Sequence, residues 1–534
     1  MSATRGTGGT GRAPRTGRTS RIGGVGGVGG VGGTGRDMTQ LLADFGHDLP
    51  TTCPAPVTGK EARLFRHVSA RGARRPGRGW APAGAPVTAY RMTSDQAPVF
   101  WPFIAGPGLP PTGAQMGVDV LAGSAFHADP VGWVLRDDIP VTNANVICLG
   151  KPGTGKSATT KAFCLRMSDF GYRTLILGDP KDEYERLCHF FGVEPFVLGP
   201  GMPARINPLG LGPLGLGWAA LDADEARSRA TVVFSRWLTL VRALVASQRI
   251  GSQRVPFGPS EEVVVKAALA DLTGYTAGSS TLAETTIPRL WHHLDQPSDT
   301  LVEQCRYASR QHFFDQTRLL RDALGQLVSG ALAGLFDDHT TIDVDWDAPI
   351  QSLSLSRLAP LGDDAVGIAL VCLNSWGRGM REIAAPGDLR IVVRDEMWKA
   401  MRLGVEAVKS LDEDLRLSRG VAGRGGDIQW ANAHKPSDML TVGDQGSQAA
   451  NIARDLMHLA DIKILHGQKP GVADELDTML GLGRPATQVM TGWAMQRTGR
   501  ALWLVGERPY KVETRLHPSE EHLTWTNEAL EGAV

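Results

Sequence analysis

The sequence predicts an α/β fold: a mainly parallel sheet with helices on both faces, interrupted by an all-helical insertion. Three observations predict it. Residues 150–157 read GKPGTGKS, between a short apolar run and a helix-forming segment. Strand and helix signals alternate from 146 to 198. Strand signals then vanish from 218 to about 336 and return after 350.

The first expected strand is 146–149, all apolar, followed by a helix from Lys156 to about Phe170. A second strand at 174–178 leads to a helix at 183–191, and a third strand follows at 195–198. Beyond Trp218 the apolar residues recur at helical spacing. Val233, Trp237, Leu240, Val241 and Leu244 form one buried stripe, and Leu319, Leu320, Leu324 and Leu327 a later one. Ser260 is the expected N-cap of a helix, with Glu261 and Glu262 in its dipole-favoured first turn. His292 and His293 read as helical surface. Strands are expected again at 350–355, 389–393, 428–433, 462–465 and 501–505, so the sheet closes after the insertion.

The expected organisation is therefore a core in two parts, 96–217 and 341–534, with the insertion at 218–340 between them. Residues 1–36 hold six arginines, no acid and a GGV repeat, which gives them nothing to bury. They read as a disordered Gly/Arg-rich tail, either simply solvated or an electrostatic tether to nucleic acid or anionic lipid. Residues 37–95, polar and basic, read as a linker or weakly ordered lead-in. The GxGxxG match at 24–29 follows no strand and opens no helix, so it carries no dinucleotide site.

At 534 residues the chain is too long for one simple unit. Lys+Arg and Asp+Glu are equal at 56 each, so net charge points to no class of partner. Six cysteines without a CxxC pair or a His cluster argue against a disulfide framework or a zinc site. No apolar run of membrane-spanning length is read, nor an apolar signal-peptide region. The expected location is the cytoplasm, with any membrane contact peripheral.

GKPGTGKS carries the strongest chemistry. Gly150, Lys151, Pro152, Gly153, Thr154 and Gly155 form a loop whose backbone N–H groups can curl around phosphate oxygens, and the helix N-terminus adds its positive end. Lys156 is expected on the β- and γ-phosphates of ATP, Ser157 on Mg2+, and Ala158 beside them in the first helical turn. The second motif is Ile391-Val392-Val393-Arg394-Asp395-Glu396, a β-branched run ending in two acids, a Walker B pattern. Asp395 would hold the magnesium through water and Glu396 would polarise the attacking water. Arg394 falls on the opposite face from Asp395 and is expected to form a salt bridge to a helix. Third, in GDPKDEY at 178–184, Asp179 and Glu183 lie at a strand's carboxyl end, where ligands sit in open α/β sheets. Asp179 equally suits capping of the next helix. Fourth, His434 or Asn432, ending the 428–433 strand, could sense the γ-phosphate, with Gln468 a weaker candidate. Fifth, Arg416, Arg419 and Arg424 follow Walker B, and one could serve a neighbouring subunit's site.

In this order the motifs resemble the FtsK–HerA class of RecA-like motor ATPases, and within it the large conjugative ATPases of type IV secretion systems in their actinobacterial form. The carrying residues are GKPGTGKS, DPKDEY (179–184), RINPLG (205–210), RDEMW (394–398), RLSRG (416–420), AHKPSDM (433–439) and ALWLVGERPYKV (501–512). An acidic PSEEHL (518–523) also fits. The resemblance spans roughly 97–530. It implies a RecA-like core, a homo-oligomeric, hexameric ring with ATP sites between subunits, and a place beside membrane channel proteins of a transfer apparatus. It makes Arg416 or Arg419 the expected arginine finger. Two departures stand out. A basic, Gly-rich segment occupies the place of the family's long N-terminal domain, and His434 stands where members often carry Gln.

Three functions compete. The first is a conjugation or secretion ATPase. The second is a DNA-translocating coupling protein, which would usually show N-terminal transmembrane helices. The third is a ring component that binds nucleotide without turnover, against which Lys156, Asp395 and Glu396 all argue.

Overall fold

The computed structural model describes residues 108–525, except 251–252, 331–332, 343–344, 346, 384–386, 404–405, 410–411, 413–426 and 437–447. The expectations for 1–36 and 37–95 lie outside the described residues.

Thirteen strands are described. They are β1 (Ala114–Asp119), β2 (Ser124–Ala128), β3 (Val146–Leu149), β4 (Arg173–Asp179), β5 (Phe196–Val197), β6 (Arg249–Ile250), β7 (Gln253–Arg254), β8 (Ile350–Ser354), β9 (Arg390–Arg394), β10 (Asp427–Ala433), β11 (Ile462–His466), β12 (Arg500–Val505) and β13 (Arg508–Thr514). Eleven form one sheet in the order β2-β1-β13-β12-β11-β3-β10-β9-β4-β8-β5. The stretch from β11 to β5 is parallel. Beyond β11 the sheet turns antiparallel through β12, β13, β1 and β2.

Strands β3, β9, β10 and β11 are buried along their whole length, as central parallel strands covered on both faces must be. Strands β1, β2 and β13 had no clear sequence signal. β1 is broken by Gly117 at a register shift, and β13 alternates with charged residues. The β12–β13 hairpin turns through Gly506 and Glu507, with Gly506 at φ +60. A Cβ there would lie 2.2 Å from the Pro140 carbonyl oxygen, so only glycine fits.

The insertion begins with a 25-residue helix, Ala223–Ser247, capped by the Asp222 carboxylate, which accepts from the N–H groups of Asp224 and Glu225. Its stripe from Val233 to Leu244 is buried together with Leu175, Leu177, Leu353 and Val392 of the sheet, so insertion and core share one apolar interior. Among the described residues this helix is the one long and apolar enough to cross a membrane, and most of its apolar window is buried inside the chain.

Three local expectations need correction. The insertion is not purely helical, because β6 and β7 form a small hairpin after that helix. The helix start expected at Ser260 lies earlier: helix Pro259–Thr273 is capped at Gly258, whose N–H donates to the Glu261 carboxylate at 2.9 Å. Proline at the first helical position fixes that start. Leu319 is exposed, whereas Leu320, Leu324 and Leu327 are buried. Spacings of four and three residues keep those three on one helix face, and Leu319 falls off it.

Candidate nucleotide-binding and catalytic site

Parallel register sets the site. Leu149 of β3 lies opposite Ala433 of β10, and Ala431 of β10 opposite Arg394 of β9. One step beyond these strands, Gly150, His434 and the Asp395–Glu396 pair are brought to the same carboxyl edge of the sheet. That edge is where ligands bind in open α/β folds.

The loop 150–155 joins β3 to helix Lys156–Ser168. Gly153 and Gly155 have φ of +80 and +102, left-handed conformations that glycine takes readily and that let the loop curl tightly. A Cβ on Gly150 would lie 2.6 Å from the His466 Cβ, and one on Gly155 2.7 Å from the Gly499 nitrogen. The loop is pinned from both sides. Lys151 N–H donates to the Gly467 carbonyl at 3.1 Å, and Gly499 N–H to the Thr154 carbonyl at 3.0 Å. The Thr154 hydroxyl donates to the Lys151 carbonyl at 2.6 Å. Lys151 and Pro152 are exposed, while Ser157 and Ala158 are half-buried at the helix start.

Lys156 is buried, and its Nζ donates to the Gly150 carbonyl at 3.0 Å and meets His434 Nδ1 at 3.2 Å. His434 Nε2 lies 3.2 Å from Glu396 Oε1. An ammonium on Nδ1 and a carboxylate at Nε2 assign the imidazole proton to Nε2. Lys181 Nζ reaches the same Oε1 at 2.5 Å. Trp398 Nε1 donates to Oε2. Glu396 itself sits at φ +53, a left-handed conformation that a non-glycine residue holds only when its surroundings impose it.

Charges around the pair are unequal. Burial opposes ionisation of Glu396, but hydrogen bonds from His434 and Lys181, with the charge of Lys181, outweigh it and hold this carboxyl well below the usual range. Asp395 goes the other way: burial raises it, Glu183, Glu396 and Asp179 raise it further, and Lys181 opposes them. Asp179 is pushed up to about 6 by burial, against the N–H groups that its carboxylate accepts. Lys161, buried in the helix after the loop, is pulled down to about 8 by burial while Glu183, Asp179 and Asp395 oppose the shift. Its Nζ donates to the Glu183 carbonyl at 2.9 Å.

The residues singled out from sequence fall into groups. Lys156 and Glu396 each contact His434, which lies between them. Asp395 and Glu183 lie close enough to raise Asp395, and Glu183 Oε2 is buried with no partner among the described residues. Asp179 does not cap the following helix, Glu185–Phe190, whose N-cap is Tyr184 with no side-chain cap bond; its carboxylate instead holds the intervening turn, accepting from Lys181 N–H at 3.2 Å and Tyr184 N–H at 2.9 Å. Asn432 is buried, its Oδ1 accepting from Thr160 Oγ1 at 3.2 Å and Trp430 Nε1 at 3.0 Å. Gln468 supports His434 from behind, donating to its carbonyl at 3.1 Å. Arg394 is buried, and its Nε donates to Asn374 Oδ1 of helix Asp363–Ile383 at 2.8 Å, so its helix partner includes an amide. Arg416, Arg419 and Arg424 lie outside the described residues. Lys181 and Trp398 were missed as site residues, although both stand inside motifs already quoted, DPKDEY and RDEMW. The anchors Gly467 and Gly499 carried no local signal.

Among the described residues no three His, Cys, Asp or Glu side chains converge on a metal site. The acidic group around Asp395 nevertheless suits magnesium. Mg2+ keeps waters and takes only one or two protein oxygens beside substrate phosphates, and crowded carboxylates with an unpartnered oxygen are what a divalent charge relieves.

No protein-family model and no curated protein matches the sequence. Solved structures match its fold. The structure of VirB4 of Thermoanaerobacter pseudethanolicus superposes with a TM-score of 0.58 at 18% identity, over 78% of this chain and 100% of that one. The bacterial conjugative coupling protein TrwB, in its unbound monoclinic form, gives 0.48 at 13% identity over 76% and 88%. TrwB in complex with the ATP analogue ADPNP gives 0.48 at 14%, over 76% and 90%. At such identities the likeness is one of fold. The sheet with its flanking helices is the RecA-like P-loop fold of the VirB4 structure.

Proposed function

We propose that this chain is a magnesium-dependent ATPase that works as the motor of a conjugative DNA-transfer or type IV secretion-like system. One observation carries the reading: Lys156 of the glycine loop and the Glu396 carboxylate meet through a single imidazole, Lys156–His434–Glu396. The VirB4 fold and the resemblance of the motifs support the biological setting.

In this reading the N–H groups of 150–155 and Lys156 bind the phosphates of ATP. Glu396 takes a proton from the attacking water, and His434 reports the γ-phosphate to it. Ser157 and Asp395 would hold Mg2+, which neutralises charge developing on the phosphoryl oxygens. Asp179 shapes the loop that carries Lys181 and Glu183. The active form is a homo-oligomeric, hexameric ring, with Arg416 or Arg419 reaching a neighbour's site. The ring works at the cytoplasmic face of the membrane beside channel proteins, and DNA is a candidate substrate.

The test is phosphate release by the purified chain with Mg2+ and ATP, beside nucleotide affinity. Glu396→Gln keeps the shape and removes the base, so ATP should bind and hardly turn over. Unchanged turnover in that variant overturns the reading.

A further inference from the structure

Lys181 belongs to no role assigned above. It stands two residues past the end of β4, whose neighbour in the sheet is β9, and this adjacency brings its Nζ to Glu396. Glu396 is engaged on both oxygens: Lys181 and His434 share Oε1, and Trp398 holds Oε2. A carboxylate that accepts a proton from water needs one oxygen turned to that water.

The three donors differ in freedom. The Trp398 indole is a rigid ring two residues from Glu396, at the first position of helix Trp398–Met401. His434 is tied at its other nitrogen to Lys156 and at its carbonyl to Gln468. Lys181 alone of the three is a point charge on a flexible four-carbon stem, and its side chain is 51% exposed. Lys181 and Lys156 are separated by only the Glu396 carboxylate and the His434 ring. A terminal phosphoryl group gripped by Lys156 therefore arrives beside both, and it carries more negative charge than one carboxylate.

Resting on the ATPase reading above, we infer that Lys181 is a positioning residue that answers to the γ-phosphate, moving from Glu396 onto that group and so turning Oε1 toward water. ADP lacks the group and leaves Lys181 on the carboxylate. Lys181 thus makes the site discriminate triphosphate from diphosphate, and it couples that choice to the aim of the base.

The experiment compares the affinities of the full-length chain for ADP and for a non-hydrolysable ATP analogue, each with Mg2+. Wild type, Lys181→Gln, Lys181→Met and Lys181→Arg are measured, with melting curves to confirm folding. Loss of one charge-assisted bond to phosphate should lower analogue affinity roughly ten- to a hundredfold in Lys181→Gln and Lys181→Met. ADP affinity should hold, and Lys181→Arg should keep most of the preference. An analogue-to-ADP ratio unchanged in Lys181→Gln, or a loss that falls equally on both nucleotides, overturns the inference while leaving the ATPase reading intact. A wild-type chain that binds neither nucleotide overturns both.

Discussion

His434 Nδ1 lies 3.2 Å from Lys156 Nζ, so the lysine of the glycine loop is bonded to the side chain one step beyond β10. The same ring touches Glu396 through its other nitrogen. Removing it should uncouple the two. His434→Ala is expected to lower kcat by roughly ten- to a hundredfold, with a smaller change in ATP affinity. His434→Gln should recover part of the loss, because an amide can accept from Lys156 and donate to Glu396. Steady-state phosphate release and nucleotide affinity check this. Equal damage from Ala and Gln would mean that the bridge is not what matters.

Gly155 faces two constraints and Gly171 one. Both have positive φ, but a Cβ on Gly155 meets the Gly499 backbone at 2.7 Å, whereas Gly171 faces open space. Gly171→Ala should therefore cost only backbone strain, about 1–3 kcal/mol or less. Gly155→Ala should cost more stability and also abolish nucleotide binding, since the loop must back away from its anchor. Melting temperatures and nucleotide titrations decide it, and equal effects would contradict the close packing of loop on turn.

Asp179 gives the chain a pH signature. Its carboxyl, pushed up to about 6 by burial, keeps its proton in the fold above the ordinary value of 3.8. Between those two values the folded chain binds more protons than the unfolded one, so stability falls as pH rises, and the cost is fully present above about 6. Asp179→Asn should flatten the melting temperature across that window. Its amide oxygen can still accept one of the two N–H bonds. An unchanged slope would show that Asp179 is ionised in the fold throughout.

If the site is completed by a neighbour, specific ATPase activity should rise with protein concentration as rings form. Arg416→Ala or Arg419→Ala should abolish turnover and spare nucleotide binding, since a finger in trans is worth roughly 10³–10⁵ in rate in related enzymes. Mixing the inactive arginine variant with inactive Lys156→Ala should restore part of the activity. Activity independent of concentration, with no rescue on mixing, would place the whole site within one chain.

Much of the core was legible because it is written locally. The strand at 146–149 is bounded by a glycine loop, and β9 by two acids, so strand, turn and chemistry are contiguous in sequence. Apolar period alone placed β4, β10 and β11 within two residues. The antiparallel side of the sheet was not legible in the same way. β12 gave a clear signal, but β1, β2 and β13 mix glycine, charged and small residues, and they become strands by pairing with one another and with β12.

By itself the sequence determined the glycine loop between strand and helix, the carboxylate pair that ends β9 and the class of fold, since each depends on residues a few positions apart. The tertiary structure decided which groups those residues meet. Lys181 and Glu396 are 215 positions apart, and Thr498 and Gly153 are 345. They come together because β4 adjoins β9 and because the turn before β12 folds back over the loop. Which strands become neighbours is settled by burying every strand's two faces at once, a balance over the whole chain that no short stretch of it encodes.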